Sequence, residues 1–386
     1  MTLNSPDTLA PLLERLQADA VARDQAGGHA ADAKALLRDA GLLRQAIPTD
    51  HGGDGQPWSA VFETVRRVAE VDSALAHVLA FHHLQVATVL IYGQPAQHAR
   101  WLAPTAREGL WWGNAMNPLD ARLLATPDGA GYRLTGVKGF CSGTRGSTLM
   151  TVAAAVPGSA TPLLAVLATQ QDGIRVGEDW NPIGQRQTDS GSVHFDSVPL
   201  AAADVLRAPD AAPQLRHSVR TCLAQLVLVQ LYLGIAGGAL AQARRYTLAH
   251  TRPWLYSGVE QAADDPYRLQ RFGEMHLQVQ TARVMSDRAV GLVDALWQRG
   301  PALTPEQRRE AALAVAEAKV VAHRASLSVS QDLFEVAGAR ATDAALGLDR
   351  FWRNARTHTL HDPVDYKLRR LGAWALRGEF APDFYN

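Results

Sequence analysis

Three long helical runs in the second half of the chain, Val219 to His250, Tyr267 to Arg299 and Pro305 to Ala337, restrict its fold more than any other feature. Helices of that length need one another, because each apolar stripe must be buried against a partner, and the stable solution is a bundle. Pro301 and the Thr304-Pro305 step mark where the last run starts. The most apolar stretch, Leu223 to Leu240, is interrupted by Gln225 and Gln230. It falls short of the ~20 apolar residues of a spanning helix and reads as core.

The rest of the chain divides by texture. From Leu9 to about Ala106 the pattern is helical, with Ala/Leu-rich runs such as Asp32 to Leu37 and Val61 to Val78, broken by turns at Pro48 to Gly55. From Trp111 to about Val205 short alternating runs take over, including Tyr132 to Leu134, Met150 to Ala153 and Ser192 to Phe195, separated by Gly, Pro and Asp. That middle segment predicts an antiparallel barrel or sandwich. The expected architecture is mainly α with a β domain: a helical domain over 1–110, a β-barrel over 111–212 and a helical bundle over 213–386. Repeats at solenoid periods are absent from the sequence.

Lys plus Arg and Asp plus Glu balance at 38 each, so no basic footprint argues for nucleic acid or an anionic membrane. A small-molecule substrate becomes the default. Two cysteines, Cys141 and Cys222, cannot build a disulfide framework or a zinc cluster, and a reducing cytoplasm is the expected compartment. The first twenty residues read as an amphipathic helix rather than a signal. Neither a G-x-G-x-x-G fingerprint nor a G-x-x-x-x-G-K-[ST] loop occurs, so the chain shows no means of binding a nicotinamide nucleotide to reduce a flavin for itself.

Residues Arg350 to Lys367 pack three arginines, two histidines, a tryptophan and a tyrosine around one His361-Asp362-Pro363 step. Five further motifs precede it in order: Trp112 to Ala115, Lys138 to Gly143, Asp179-Trp180, Arg186 to Ser192 and Thr251 to Trp254. From the first helix to the last the chain resembles the acyl-CoA dehydrogenase superfamily, and these motifs resemble its dibenzothiophene monooxygenases and sulfur-scavenging oxidoreductases. A glutamate base normally stands in the C-terminal segment of that superfamily; here the position reads His-Asp-Pro.

The resemblance implies a two-component monooxygenase that takes reduced FMN from a separate NAD(P)H:flavin reductase, reacts it with O2 to a C4a-hydroperoxide, and oxygenates a soft heteroatom, sulfur above all. It implies a homotetramer, a dimer of dimers, in which a neighbouring subunit's loop, here Phe334 to Thr342, completes the flavin site. Phe140, Cys141 and Ser142 then lie along the isoalloxazine, with the Ser142 hydroxyl or backbone groups donating near N5. Trp180 covers the dimethylbenzene side, Thr188 and Ser190 serve the pyrimidine edge or ribityl chain, and Arg252 and Arg340 hold the phosphate. Asn114, Ser142 and His361 carry the chemistry as donors, and His77, Phe81 and His358 line the substrate pocket. Phe81 departs from the tyrosine of the dibenzothiophene enzymes, and the Met116 to Leu123 loop is shorter than theirs.

Structural roles compete with several of these. His358 and His361 could cap or pack a helix start, Trp180 could be core, Thr188 to Ser192 could be a turn, and each arginine could be merely solvated. Competing functions are an FAD-dependent acyl-CoA dehydrogenase with Asp362 as base, an amine N-hydroxylase, and a catalytically dead flavoprotein. A ferritin-like metal bundle, prompted by His358-x-x-His361, lacks the Glu-x-x-His pairs it needs, so no metal is expected.

Overall fold

The computed structural model describes residues 6–117 and 119–381, so Pro118, within the loop that reads as shortened, lies outside it. Helices α1 (Pro6–Ala18), α2 (Ala20–Ala26), α3 (Ala31–Asp39), α4 (Trp58–Val71), α5 (Ser73–Tyr92) and α6 (Pro95–Glu108) come first. Strands β1 (Trp112–Ala115), β2 (Leu123–Asp128), β3 (Gly131–Lys138), β4 (Leu149–Ala154), β5 (Leu163–Ala168), β6 (Ile174–Val176), β7 (Val193–Leu200) and β8 (Val205–Arg207) follow. The chain then returns to helix in α7 (Val219–His250), α8 (Pro266–Arg299), α9 (Pro305–Ala337), α10 (Arg350–His358) and α11 (Val364–Arg377).

Local chemistry sets the ends of the long helices. The Asp265 carboxylate caps α8 by accepting from the Tyr267 and Arg268 amides, and Thr304 and Gln307 close a capping box on α9. Both helices place proline in the first turn, where a missing N–H costs nothing. Helices α7, α8 and α9 pack on one another, and α10 and α11, both against α9, complete the bundle. Two helices, Ser73–Tyr92 and the run Leu215–His250, are apolar and long enough to cross a membrane, but 94% and 83% of their apolar windows are buried inside the fold. They form its centre.

The strands make two four-stranded sheets, ordered β1-β4-β5-β8 and β2-β3-β7-β6. Leu123, Leu134, Met150, Val152, Leu163 and Val193 share one core, and a bridge between Leu124 and Ala155 ties the sheets together. One strand ladder, and with it the Leu124–Ala155 bridge, departs from the antiparallel expectation. Strand β1 runs parallel to β4, because the chain leaves β1 through the whole β2-β3 hairpin before returning beside it.

Helix α4 lies across α7 so closely that only glycine fits between them. A Cβ on Gly234 would stand 2.4 Å from the Ala69 Cβ, and one on Gly238 would stand 2.1 Å from the Glu70 carbonyl oxygen. Gly238→Ala should therefore cost about 1–3 kcal/mol through overpacking, read as a lowered denaturation midpoint, whereas Gly273→Ala, with open space around it, should not lower it.

Candidate active site

One face of α5 organises the site. His77, Phe81 and Gln85 recur every fourth residue and so stack along a single stripe of the helix. Each reaches a different part of the chain. His77 Nδ1 lies 2.7 Å from His358 Nε2 at the end of α10, Phe81 stacks on His77 with ring centroids 4.3 Å apart, and the Gln85 amide donates to Asn114 Oδ1 on β1 at 3.3 Å. Thr151 on β4 donates to the Gln85 Oε1 at 2.5 Å, which fixes the amide's orientation and so Asn114's. Gln85 escaped the sequence reading, although an amide in a run as apolar as Leu84 to Ile91 is a signal that a partner exists.

Asn114 continues the line into the β domain, where its backbone N–H donates to the Ser142 carbonyl at 3.1 Å. The turn carrying Ser142 is held from two sides. Lys138, fully buried, donates to the Asn117 and Asp120 carbonyls, and the Gly139 amide donates to the Asp120 carboxylate at 2.9 Å. The Cys141 amide donates to the Gly191 carbonyl and the Gly143 amide to that of Thr188. Phe140 accordingly sits at φ +56° with its ring 67% exposed, edge-on to Trp180 at 6.0 Å. Trp180 itself is anchored through Nε1, which donates to the Gln185 carbonyl. Cys141 is buried, and burial pushes its thiol up to about 12, so it is a small packing residue.

The hydroxyls of Ser142, Ser190 and Thr188 form a directed chain. Thr188 donates to the Gln185 carbonyl at 2.9 Å and Ser190 donates to Thr188 at 2.8 Å. Ser190 has then spent its hydrogen, so at 2.7 Å it must accept from Ser142. With its hydrogen directed at Ser190, the Ser142 hydroxyl has an oxygen lone pair left to offer. Gln185, at φ +54°, anchors the chain. Its amide donates to the Asn354 side chain of α10 at 2.6 Å, and Gly184 passes so close that a Cβ would stand 2.2 Å from the Arg353 carbonyl oxygen.

Histidines dominate the other end. Burial drives His77 down to about 3 and His358 well below its ordinary value, so both are neutral at physiological pH. Two neutral imidazoles sharing one N–H leave, at their outer nitrogens, one donor and one acceptor. Those atoms, His77 Nε2 and His358 Nδ1, are buried without a partner. Tyr232 on α7 donates to the His358 carbonyl at 3.0 Å and packs edge-on to its ring. His361, 44% exposed, lies 6.4 Å from the His358 ring, and its Nδ1 donates to Asp362 at 3.1 Å.

Asp362 faces inward. Its carboxylate pairs with Lys319, which also donates to Gln225 at 2.7 Å. Burial alone would raise this carboxyl, but His361 and Lys319 outweigh it and hold it below the usual carboxylate range. Arg252 and Arg340 sit elsewhere, both exposed at the far ends of α7 and α9, where Arg340 donates to the His250 carbonyl at 3.0 Å. Among the described residues no hydrogen bond or ion pair joins them to the Ser142 turn. Groups of three or more His, Cys, Asp or Glu able to hold a metal are absent among the described residues.

The chain is similar to known proteins over most of its length. The family described as acyl-CoA dehydrogenase, N-terminal domain, matches residues 10–109, and acyl-CoA dehydrogenase, C-terminal domain, matches 226–366. The chain is 44% identical to "Probable FMNH2-dependent monooxygenase SfnC" of Pseudomonas putida, over 95% of this chain and 93% of that one. It is 39% identical to dibenzothiophene monooxygenase of Rhodococcus erythropolis, over 98% and 94% respectively. The solved structure of methanesulfinate monooxygenase MsuC from Pseudomonas fluorescens superposes with a TM-score of 0.96 at 43% identity, covering 99% of this chain and all of that one.

Neutral buried histidines bear on stability. The unfolded chain takes up protons as pH falls through 6.5, whereas folded His77 and His82 resist until about 3 and 4. The contribution of these two histidines to stability is therefore full above pH 6.5 and is lost progressively as pH drops toward about 4. Denaturant midpoints measured across that window should fall steadily, and His82→Gln should flatten the slope.

Proposed function

The chain belongs to the acyl-CoA dehydrogenase family and, within it, to the FMNH2-dependent monooxygenases; from that premise we propose that it transfers one atom of O2 to the sulfur of a small organosulfur compound. The α5 stripe carries the reading, because a single helix face joins the histidine pair, the aromatic wall, the Asn114 amide and the Ser142 turn. When bound, reduced FMN supplies the electrons that activate O2.

The residues fit that cofactor. An exposed Phe140 ring beside Trp180 offers flat aromatic surface at the Ser142 turn. The committed Ser142 hydroxyl suits the N5–H that a flavin carries only when reduced, since a lone pair is what such a donor needs. Asn114, held by Gln85, keeps its amide N–H groups for the oxygen that reacts, and His361 exchanges a proton with it. Cys141, Thr188 and Ser190 shape and orient the turn from beneath. Arg252 and Arg340, both exposed, hold the phosphate.

On the substrate side, His77 and His358 present one N–H and one lone pair against Phe81. This is a neutral wall suited to a soft sulfur centre. A protonated amine would want a carboxylate there, and Asp362, the one at hand, is spent on Lys319. For the same reason Asp362 does not serve as a dehydrogenase base. The reading includes a separate NAD(P)H:flavin reductase as FMNH2 supplier, a homotetramer in which the segment 334–342 completes a neighbour's flavin site, a cytoplasmic location, and the domain division at 110 and 212.

Flavin-free protein given photoreduced FMN and 18O2 should convert a sulfinate, sulfoxide or thiophene from a test panel into a product carrying one 18O atom on sulfur per turnover by mass spectrometry. Label-free product, or none from any sulfur compound, overturns the reading. Asn114→Ala and His361→Ala should each lower turnover by roughly 10²–10³-fold with FMN affinity retained. Arg252→Ala should weaken FMN binding by about tenfold, and an unaltered dissociation constant would move the phosphate site elsewhere.

A further inference from the structure

Asp362 is a buried acid that the mechanism above does not use. Its Oδ1 meets two donors at once, Lys319 Nζ and His361 Nδ1, the latter at 3.1 Å, and Lys367 Nζ stands 3.9 Å from Oδ2. The side chains of Asp362, Lys319 and Lys367 are 7%, 1% and 4% exposed, whereas His361 is 44% exposed. Helix α11 begins at Val364 with Pro363 in the N-cap position and no side-chain cap, so the Asp362 carboxylate is not used to start the helix. Stability does not account for the ion pair either, since apolar residues of similar volume commonly replace such pairs at no loss. What the carboxylate touches at the edge of the site is the His361 ring.

We propose that Asp362, kept ionised in the interior by Lys319, is a positioning residue that pins His361 as the Nδ1–H tautomer and leaves Nε2 as the ring's proton-accepting atom. A carboxylate can only accept from the ring, so the hydrogen on Nδ1 is fixed by chemistry and the lone pair must lie on Nε2. When Nε2 takes a proton, the imidazolium charge falls beside the same carboxylate. His361 thus accepts a proton first and returns it later, and no other atom need move.

The groups around the ring are consistent with this. His358 on α10 and His77 on α5 are neutral through burial. Lys319 on α9 is lowered to about 8 by burial, against the pull of Asp362, and Lys367 on α11 to about 7 by burial and by Lys319. Asp362 is thus a carboxylate that accepts at Nδ1 of His361, next to groups that burial keeps neutral or lowers. The backbone assists: the His361 amide donates to the His358 carbonyl at 3.1 Å, and Pro363 at φ −64° fixes the exit into α11.

The inference rests on His361 facing the reacting atoms, but its test does not. Flavin-free protein labelled with 15N-histidine, in mildly alkaline buffer, should give a long-range 1H–15N spectrum in which the His361 signals, assigned by their loss in His361→Gln, report a protonated Nδ1 and a bare Nε2. The double variant Lys319→Met/Asp362→Leu removes both buried charges together, and in it the tautomer should move toward Nε2–H. A wild-type ring protonated at Nε2, or a tautomer unchanged in the double variant, overturns the proposal. Should circular dichroism show the variant unfolded, the wild-type spectrum alone decides. Full turnover in His361→Ala would overturn the reading of the site while the tautomer result stood, so the two failures are distinguishable.

Discussion

Burial of α5 on every side is the constraint on which the rest depends. A helix in water can carry polar side chains freely, but one enclosed by α4, α7 and the β domain must find a partner for each of them or lose about 1–3 kcal/mol per orphaned group. His82 meets the Leu43 carbonyl and the Trp112 amide, Thr88 meets the Leu84 carbonyl and Arg220, and Gln85 meets Asn114 and Thr151. Those bonds dock the β domain on the helical layers in one orientation. Among the atoms left over are the outer nitrogens of His77 and His358, which offer a ligand something to bind.

The same logic explains why the site draws on distant stretches of chain. The Ser142 turn is stapled by Lys138 and Asp120 before it and by Thr188 and Gly191 from another loop, and that loop is pinned in turn to α10 through Gln185 and Asn354. Strained or left-handed backbone at Phe140, Gln185 and Asp189 clusters here because each is held on several sides. Displacing α10 would move both the His358 end of the α5 stripe and the hydroxyl chain at its other end.

Much of the fold was legible in sequence, for physical reasons that differ by element. Helices α7 and α9 are long and periodic, α9 with Pro305 and the Thr304 cap at its start, and their limits coincide with those read from the pattern. The parallel pairing of β1 with β4 was not legible, since alternation predicts that strands exist but not which one a strand meets after a hairpin intervenes. In the site, residue types announced themselves while their hydrogen-bond polarity did not. Nothing local to Ser142 tells that its hydrogen is committed, because that follows from Ser190 and Thr188 nearly fifty residues on, each fixed by the next. Gln85, Gln225 and Lys319 were hidden for a related reason: a buried polar residue betrays a partner, and only the fold says which.

The His-Asp-Pro step shows how one architecture is turned from one chemistry to another. A base that attacks carbon must be ionised, exposed to the substrate and free of competing cations; Asp362 meets the first condition and fails the other two, being 7% exposed and paired with Lys319. The carboxylate lies inside the bundle, and the half-exposed His361 imidazole stands in front of it. Exchanging a carboxylate for an imidazole oriented from behind replaces a fixed negative charge with a neutral group that can gain and return a proton. A site that must handle oxygen beside an electron-rich cofactor gains from that exchange, because negative charge at its edge would oppose the charge that builds up there, whereas the imidazole relieves it.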